Sequence, residues 1–254
     1  MNNLQDLKKQ GLWPLKKIPD NYIRGLDHWY TKENIDRINE SLDYVFSLSP
    51  GNKFLDISFG NPILLKRAML FSEDCRAHYI HKQNAINDSE INSTITEGDY
   101  DEIPYSSESF DIITSYAFLH IIPDLRTYVE ETYRLLKPGG CLYTDGDRNI
   151  TLIKFMRFIN LFTYKIFLPS NKSKINYWKN LLNENTNFHS QGIDHFQLRK
   201  LMYEIGFQKV TVLPWFTLNH KFSNNIIFKL FVFISKVLYL DRFLFTHVKI
   251  VAKK

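Results

Sequence analysis

Apolar positions change their period several times along the chain, and each change marks an element. In Phe110-Asp111-Ile112-Ile113-Thr114-Ser115-Tyr116, β-branched and aromatic residues follow turn-forming Ser106, Ser107 and Ser109. That pattern predicts a buried strand. Asp124 then precedes Leu125, Val129, Tyr133 and Leu136, a helical spacing with Asp124 as N-cap. Lys137-Pro138-Gly139-Gly140 is expected to stop this helix and turn the chain into a strand at Cys141–Thr144. Two strands joined by such a crossover are expected to be parallel neighbours in an α/β sheet.

The same reading orders the rest. Trp29, Ile35, Ile38, Leu42, Val45 and Phe46 predict one or two helices before Leu48, with Thr31 as N-cap. Pro50-Gly51-Asn52 turns into a short strand, Lys53–Ile57, and Ser58–Pro62 leads to a helix over Ile63–Phe71. Arg76–Ile80 reads as a second strand. Leu152–Leu168 predicts an apolar helix with Lys154, Arg157 and Asn160 as a polar stripe. Pro169 and Ser170-Asn171 should end it, and Ser173–Ser190 reads as a loop with a short helix around Tyr177-Trp178. Asp194–Gln197 forms a capping box for a helix over Leu198–Ile205, closed by Gly206. Strands follow at Lys209–Leu213 and Thr246–Ala252. Between them lies an apolar run at 226–240 carrying Lys229 and Lys236. It is too short and too charged to span a bilayer; a buried hairpin or lid and an interfacial membrane helix are both open.

Composition narrows the class. The chain has 254 residues, 44% of them hydrophobic, enough for a large α/β core and against disorder. Twenty Phe and fourteen Tyr fit a deep apolar pocket or a membrane-facing surface. The net charge of +5 leaves room for an anionic partner. No basic run interleaves with aromatics as a base-stacking platform would, so nucleic acid is not expected. Cys75 and Cys141 form no CxxC pair, which fits a reducing compartment and argues against a thiolate metal site. The polar Met1–Lys17 stretch lacks a signal-peptide core, so a cytoplasmic protein, with or without peripheral membrane contact, is expected.

Gly98-Asp99, Pro104-Tyr105, Ser109-Phe110-Asp111, Leu119-His120 with Pro123-Asp124, and Arg134–Gly140 stand in a fixed order. This constellation closely resembles class I S-adenosylmethionine-dependent methyltransferases of the small-molecule type. The resemblance covers Lys53–Asp147 well, and Asp194–Phe207 and the C-terminus more weakly. It implies one domain, 1–254: a Rossmann-like seven-stranded, mostly parallel sheet with helices on both faces and helical insertions after strands five and six. Within it, 1–49 would be an N-terminal helical lid, with Trp29 and Tyr30 as aromatics over the cofactor. Residues 50–147 would be the cofactor core, and 148–193 and 214–243 substrate-covering insertions.

The resemblance also assigns the cofactor, S-adenosylmethionine, and its residues. Asp56, Ser58 and Gly60 would seat the methionyl end in a loop that keeps one glycine where the family has D-x-G-x-G-x-G; Ser58 and Pro62 replace the outer two. Asp99 would accept from the adenine amino group, and the Tyr100 backbone N–H would meet the ring. The family's ribose carboxylate is missing: His81-Lys82-Gln83 stands there, with His81 as a substitute partner and Asp88 and Glu90 as distant ones. Ser115 lies at the end of the fourth strand, where ligands bind in open α/β sheets. His120 is the family's candidate general base for a hydroxyl acceptor. Asp145, Asp147 and Asn149 cluster at the same edge, without the further carboxylate a metal site would need.

The acceptor implied is small or lipid-like, suited to apolar insertions with basic stripes: a lipid-linked glycan, an isoprenoid or an aromatic metabolite. The alternative is a non-methylating member of the fold, a partner subunit, scaffold or reused pocket, favoured by the lost glycines and ribose carboxylate.

Overall fold

The computed structural model describes residues 9, 31–49, 51–60, 62–80, 95–167, 169–183, 192–215, 233 and 247–254. In chain order these form α1 (Lys32–Leu48), β1 (Phe54–Ser58), α2 (Ile63–Ala68), β2 (Cys75–Tyr79), β3 (Ile95–Glu97), β4 (Phe110–Tyr116) and a 3₁₀ turn (Leu119–Ile121). Next come α3 (Leu125–Leu135), β5 (Leu136–Arg148), α4 (Ile150–Phe167), α5 (Lys172–Asn183), α6 (His195–Ile205), β6 (Lys209–Trp215) and β7 (His247–Lys253). The seven strands make one Rossmann-like sheet in the order β3-β2-β1-β4-β5-β7-β6. β7 alone runs against its neighbours.

Strand alternation builds a core on each face. Leu55, Ile57, Ile113 and Leu142 face Tyr128 and Val129 of α3 and Leu198 and Met202 of α6. Their chain neighbours Phe54, Ile112, Cys141 and Tyr143 face Ile38, Leu42 and Val45 of α1 and Ile63–Leu65 of α2. The described part of the expected lid, α1, is thus a packed helix. Burial pushes the Cys75 thiol up to about 11 and the Cys141 thiol up to about 12, so both are unreactive packing groups.

The expected caps are present. Thr31 Oγ1 accepts from Asn34 N at 3.4 Å, Asp124 Oδ1 from Arg126 N at 3.0 Å, and Asp194 Oδ1 from Phe196 N at 3.0 Å. α6 starts at His195, three residues before the expected Leu198. One expectation is corrected and one extended. Lys137–Gly140 does not separate helix from strand: β5 begins at Leu136 and the four residues bulge within it. The chain end holds them there, with Gly139 N donating to Lys254 O and Lys254 N to Gly140 O. The short helix expected around Tyr177-Trp178 is present but longer: α5 runs over Lys172–Asn183, and Asn171 caps its start by accepting from Lys174 N at 3.3 Å.

A second irregularity in β5 sets up the functional edge. Thr144 pairs with Ile250 and Asp147 with Val248, so one extra residue enters β5 between them. Gly146 sits there at φ +82°, the left-handed geometry of a bulge glycine. The inserted residue reverses the alternation. Asp145 stays on the α1 face, near Tyr143, whereas Asp147 turns to the opposite face beside His120. Opposite the bulge, Ala117 takes φ +49° and its N–H donates to Asp145 O at 2.7 Å.

A Cβ on Gly146 would lie 3.0 Å from Ala117 N and 3.2 Å from Tyr116 Cζ. Gly146→Ala should therefore destabilise the protein by about 1–3 kcal/mol, read as a lower urea midpoint at unchanged slope. An unchanged midpoint would contradict this bulge geometry.

Candidate cofactor and acceptor site

The carboxyl ends of β1, β4 and β5 bring together Asp56, Ser58, Ser115, Asp145 and Asp147, all buried. Asp56 comes from mid-β1, in register with Thr114, whose Oγ1 donates to Asp56 Oδ1 at 2.8 Å. Asp56 Oδ2 makes no hydrogen bond among the described residues. Burial pushes its carboxyl up to about 7, opposed by the Thr114, Tyr79 and Ser58 hydroxyls. A buried carboxylate oxygen with acceptor capacity left over is what a cationic ligand requires. Ser58 Oγ accepts from Gly60 N at 3.4 Å, and Gly60 takes φ +118°. Ser58 is thus folded into the loop, and Pro62 sits ahead of α2, whose first residue is Ile63.

Asp99 is half-buried just after β3, held in place by a residue the sequence reading passed over. His78, fully buried in β2, places Nδ1 2.9 Å from Thr96 Oγ1 and Nε2 3.0 Å from the Asp99 carbonyl. Burial lowers the pKa of its ring, against the pull of the Asp99 and Gly98 backbone. The available signal was a histidine flanked by core residues Ala77 and Tyr79 inside a strand. The Tyr100 side chain is turned into the core, edge-on to Phe118 and Tyr128, and its hydroxyl accepts from Asp124 N at 3.3 Å. Only its backbone is left for a ring contact. His81, Lys82, Gln83, Asp88, Glu90, Trp29, Tyr30 and nearly all of the 214–243 insertion lie outside the described residues.

At the acceptor end, His120 Nδ1 lies 2.7 Å from Asp147 Oδ1, which also accepts from the His120 backbone N at 3.0 Å. The Asp147 side chain is wholly buried while that of His120 is 23% exposed. A carboxylate there accepts from Nδ1–H, so the Nε2 lone pair is the one presented outward. The Tyr128 hydroxyl, beside Ser115, feels both Asp56 and Asp147; burial raises its pKa well above the ordinary value. Asn149, grouped with them in the sequence, is occupied differently: its Oδ1 accepts from Thr151 N at 3.0 Å at the start of α4.

Asp145 faces the other way. It pairs with Arg37 of α1 and accepts from the Tyr143 hydroxyl at 2.7 Å, and Arg37 also donates to Tyr116 at 3.0 Å. This buried latch ties α1 to the bulge, and no local pattern around Arg37 marks it. Among the described residues, no group of three or more His, Cys, Asp or Glu could hold a metal ion.

A family model described as a methyltransferase domain matches residues 67–144. That region of the chain is thus similar to a methyltransferase domain. Among curated relatives, the demethylmenaquinone methyltransferase of Bacillus cytotoxicus is 30% identical over 148 residues, 50% of this chain and 61% of that protein. The one from Oceanobacillus iheyensis is 36% identical over 75 residues, 30% of this chain and 31% of that protein. The chain thus matches between about a third and three fifths of these relatives' lengths. In fold, it resembles an S-adenosylmethionine-dependent methyltransferase from Archaeoglobus fulgidus at TM-score 0.60 and 13% identity, covering 92% of this chain and 99% of that one. A possible histamine N-methyltransferase from Thermotoga maritima aligns at TM-score 0.53 and 17% identity over 92% and 97%.

The buried Asp56 carboxyl has a pH signature. The folded-state pKa of Asp56, about 7, exceeds that of an unfolded Asp, about 3.9. Its contribution to stability is fully present below the lower value and is lost as pH rises through the upper. Half-buried His247, lowered to about 4 by desolvation, acts oppositely as pH falls below the usual histidine range. The difference between wild type and Asp56→Asn isolates the carboxyl. The variant should gain on wild type in melting temperature between about pH 4 and pH 8; parallel curves would contradict a neutral buried Asp56.

Proposed function

We propose that the protein transfers a methyl group from S-adenosylmethionine to a small or lipid-like acceptor, most simply a hydroxyl. The observation that carries this reading is the His120–Asp147 pair, which the Gly146 bulge aligns at the end of β5, on the same sheet edge as β1 with Asp56, whose Oδ2 makes no hydrogen bond among the described residues. The cofactor, bound there, supplies an electrophilic methyl on a sulfonium. Asp56 would meet the positive end of its amino acid portion, Ser58 and Gly60 the adjoining backbone, and Asp99 the adenine edge, with the Tyr100 N–H beside the ring. Ser115 would line the floor between them. His81, outside the described residues, remains the proposed ribose partner.

His120 Nε2 would accept the acceptor's proton as the hydroxyl attacks, and buried Asp147 would stabilise the imidazolium and fix its orientation. Alignment and exclusion of water would supply most of the remaining acceleration. The relatives named for demethylmenaquinone, an apolar quinone, support an acceptor of lipid-like character. Asp56 also supports an ionisation coupling: a bound cation drives its proton off, so cofactor binding should tighten as pH rises through about 7.

The test is transfer of labelled methyl from S-adenosylmethionine to phenolic, quinol and lipid acceptors. Both His120→Gln and Asp147→Asn should lower kcat on a hydroxyl acceptor by about 10²–10⁴, leaving cofactor affinity within about threefold, since neither is placed on the cofactor. Full activity in His120→Gln would remove it as base. A lack of cofactor binding by the wild type would overturn methyl transfer and favour the non-methylating alternative.

A further inference from the structure

α4 turns part of its predicted polar stripe inward and much of its apolar surface outward. Arg157 and Asn160 are half-buried, whereas Phe155, Phe158, Ile159, Phe162 and Ile166 are exposed. Phe158, Phe162 and Ile166 are 55%, 53% and 51% exposed. At 3.6 residues per turn the five side chains fall within about 100° of one another on the helix surface, and Phe158 stacks on Phe162 at 6.3 Å. Exposed Lys154 and Lys165 lie along one border of this stripe. α5 follows with exposed Lys172, Lys174 and Lys179. From Ile150 to Asn183 the chain has six Lys and Arg and no Asp or Glu, against +5 for the whole protein. The net positive charge resides in this one helical pair.

We propose that α4 and α5 dock the protein on an anionic lipid surface, the aromatic stripe entering the headgroup boundary and the lysines meeting lipid phosphates. A contiguous apolar face bordered by cations has the composition of an interfacial helix. The long lysine stems reach past the apolar face while keeping their charges in the polar layer. Spanning is not involved: among the described residues no helix is long and apolar enough to cross a membrane. Charge separates a membrane from the other occupants. A two-fold contact with a second copy would set two acid-free cationic faces together, and the chain's own apolar run at 226–240 carries lysines, not carboxylates.

The place of α4 gives docking a consequence for the site. Asn149 caps the helix two residues after Asp147, and Ile150 N and Arg148 O bond Ile193 at its base. Docked through α4, the protein would hold the His120 edge close to the bilayer, so that the acceptor arrives from the lipid phase. This last step rests on the proposed function; docking itself is measured without turnover.

The test is flotation of the full chain with phosphatidylcholine vesicles, with and without about a third phosphatidylglycerol, at low and high salt. Wild type should bind the anionic vesicles at least about fivefold better than the neutral ones, and high salt should reduce that binding. The double variant Phe158→Ser/Phe162→Ser should lose about tenfold or more, and Lys154→Gln/Lys165→Gln several-fold, both at the wild-type melting temperature. The proposal is overturned if wild type fails to float with anionic vesicles, or binds both compositions equally. It is also overturned if both variants bind like wild type, or if the Phe variant only dissolves a dimer on size exclusion. Flotation without S-adenosylmethionine binding would leave docking standing and remove only the methyl-transfer reading.

Discussion

One inserted residue in β5 determines how the ligand edge is wired. Without the bulge at Gly146, strand alternation would put Asp145 and Asp147 on the same face of the sheet. With it, one carboxylate faces α1 and the other faces His120. The Arg37–Asp145 pair then closes the α1 side with a buried charge that Tyr143 and Tyr116 help to satisfy. Breaking such a pair leaves an uncompensated charge inside, so the bulge and the seating of α1 are coupled. The left-handed Ala117 and the left-handed Gly146 meet across the β4–β5 ladder, which concentrates backbone strain where the chemistry is proposed.

The buried polar groups at this edge are unevenly satisfied. Asp145 is fully engaged, Asp147 holds His120 through one oxygen, and Asp56 keeps one oxygen without a hydrogen bond among the described residues. A free protein tolerates that oxygen by holding the Asp56 proton to about pH 7. Ligand recognition and stability therefore oppose one another at Asp56, as expected where a site is built to receive charge rather than to fold well. The altered glycine loop fits the same account. Ser58 folds onto Gly60, and Pro62 precedes α2, where a missing N–H costs little.

Much of this was legible in sequence because it depends on local patterns. The β4 run, the Asp124, Thr31 and Asp194 caps and the parallel crossover follow from period and capping chemistry. The sheet edge carrying Ser115 and His120 follows from the order of the elements. Long-range partners were not legible. Nothing local marks Lys254 as holding the Lys137–Gly140 bulge, Arg37 as the partner of Asp145, or Gly146 as a face switch. His78 looked like part of a strand because its role, fixing the Asp99 carbonyl, lies across the sheet. Periodicity located the apolar and polar sides of α4 but not which side faces outward. Burial is a property of what packs nearby, and there the usual inside-outside rule is reversed.

The most direct test of the central claim, that this edge binds S-adenosylmethionine, is calorimetric titration of the protein with the cofactor and its demethylated product. Wild type should bind both in the micromolar range, and Asp99→Ala should weaken binding at least about tenfold through the lost adenine hydrogen bond. Absence of heat at millimolar cofactor, or equal affinity in the variant, would contradict the assignment of the edge spanning Asp56 to Asp99.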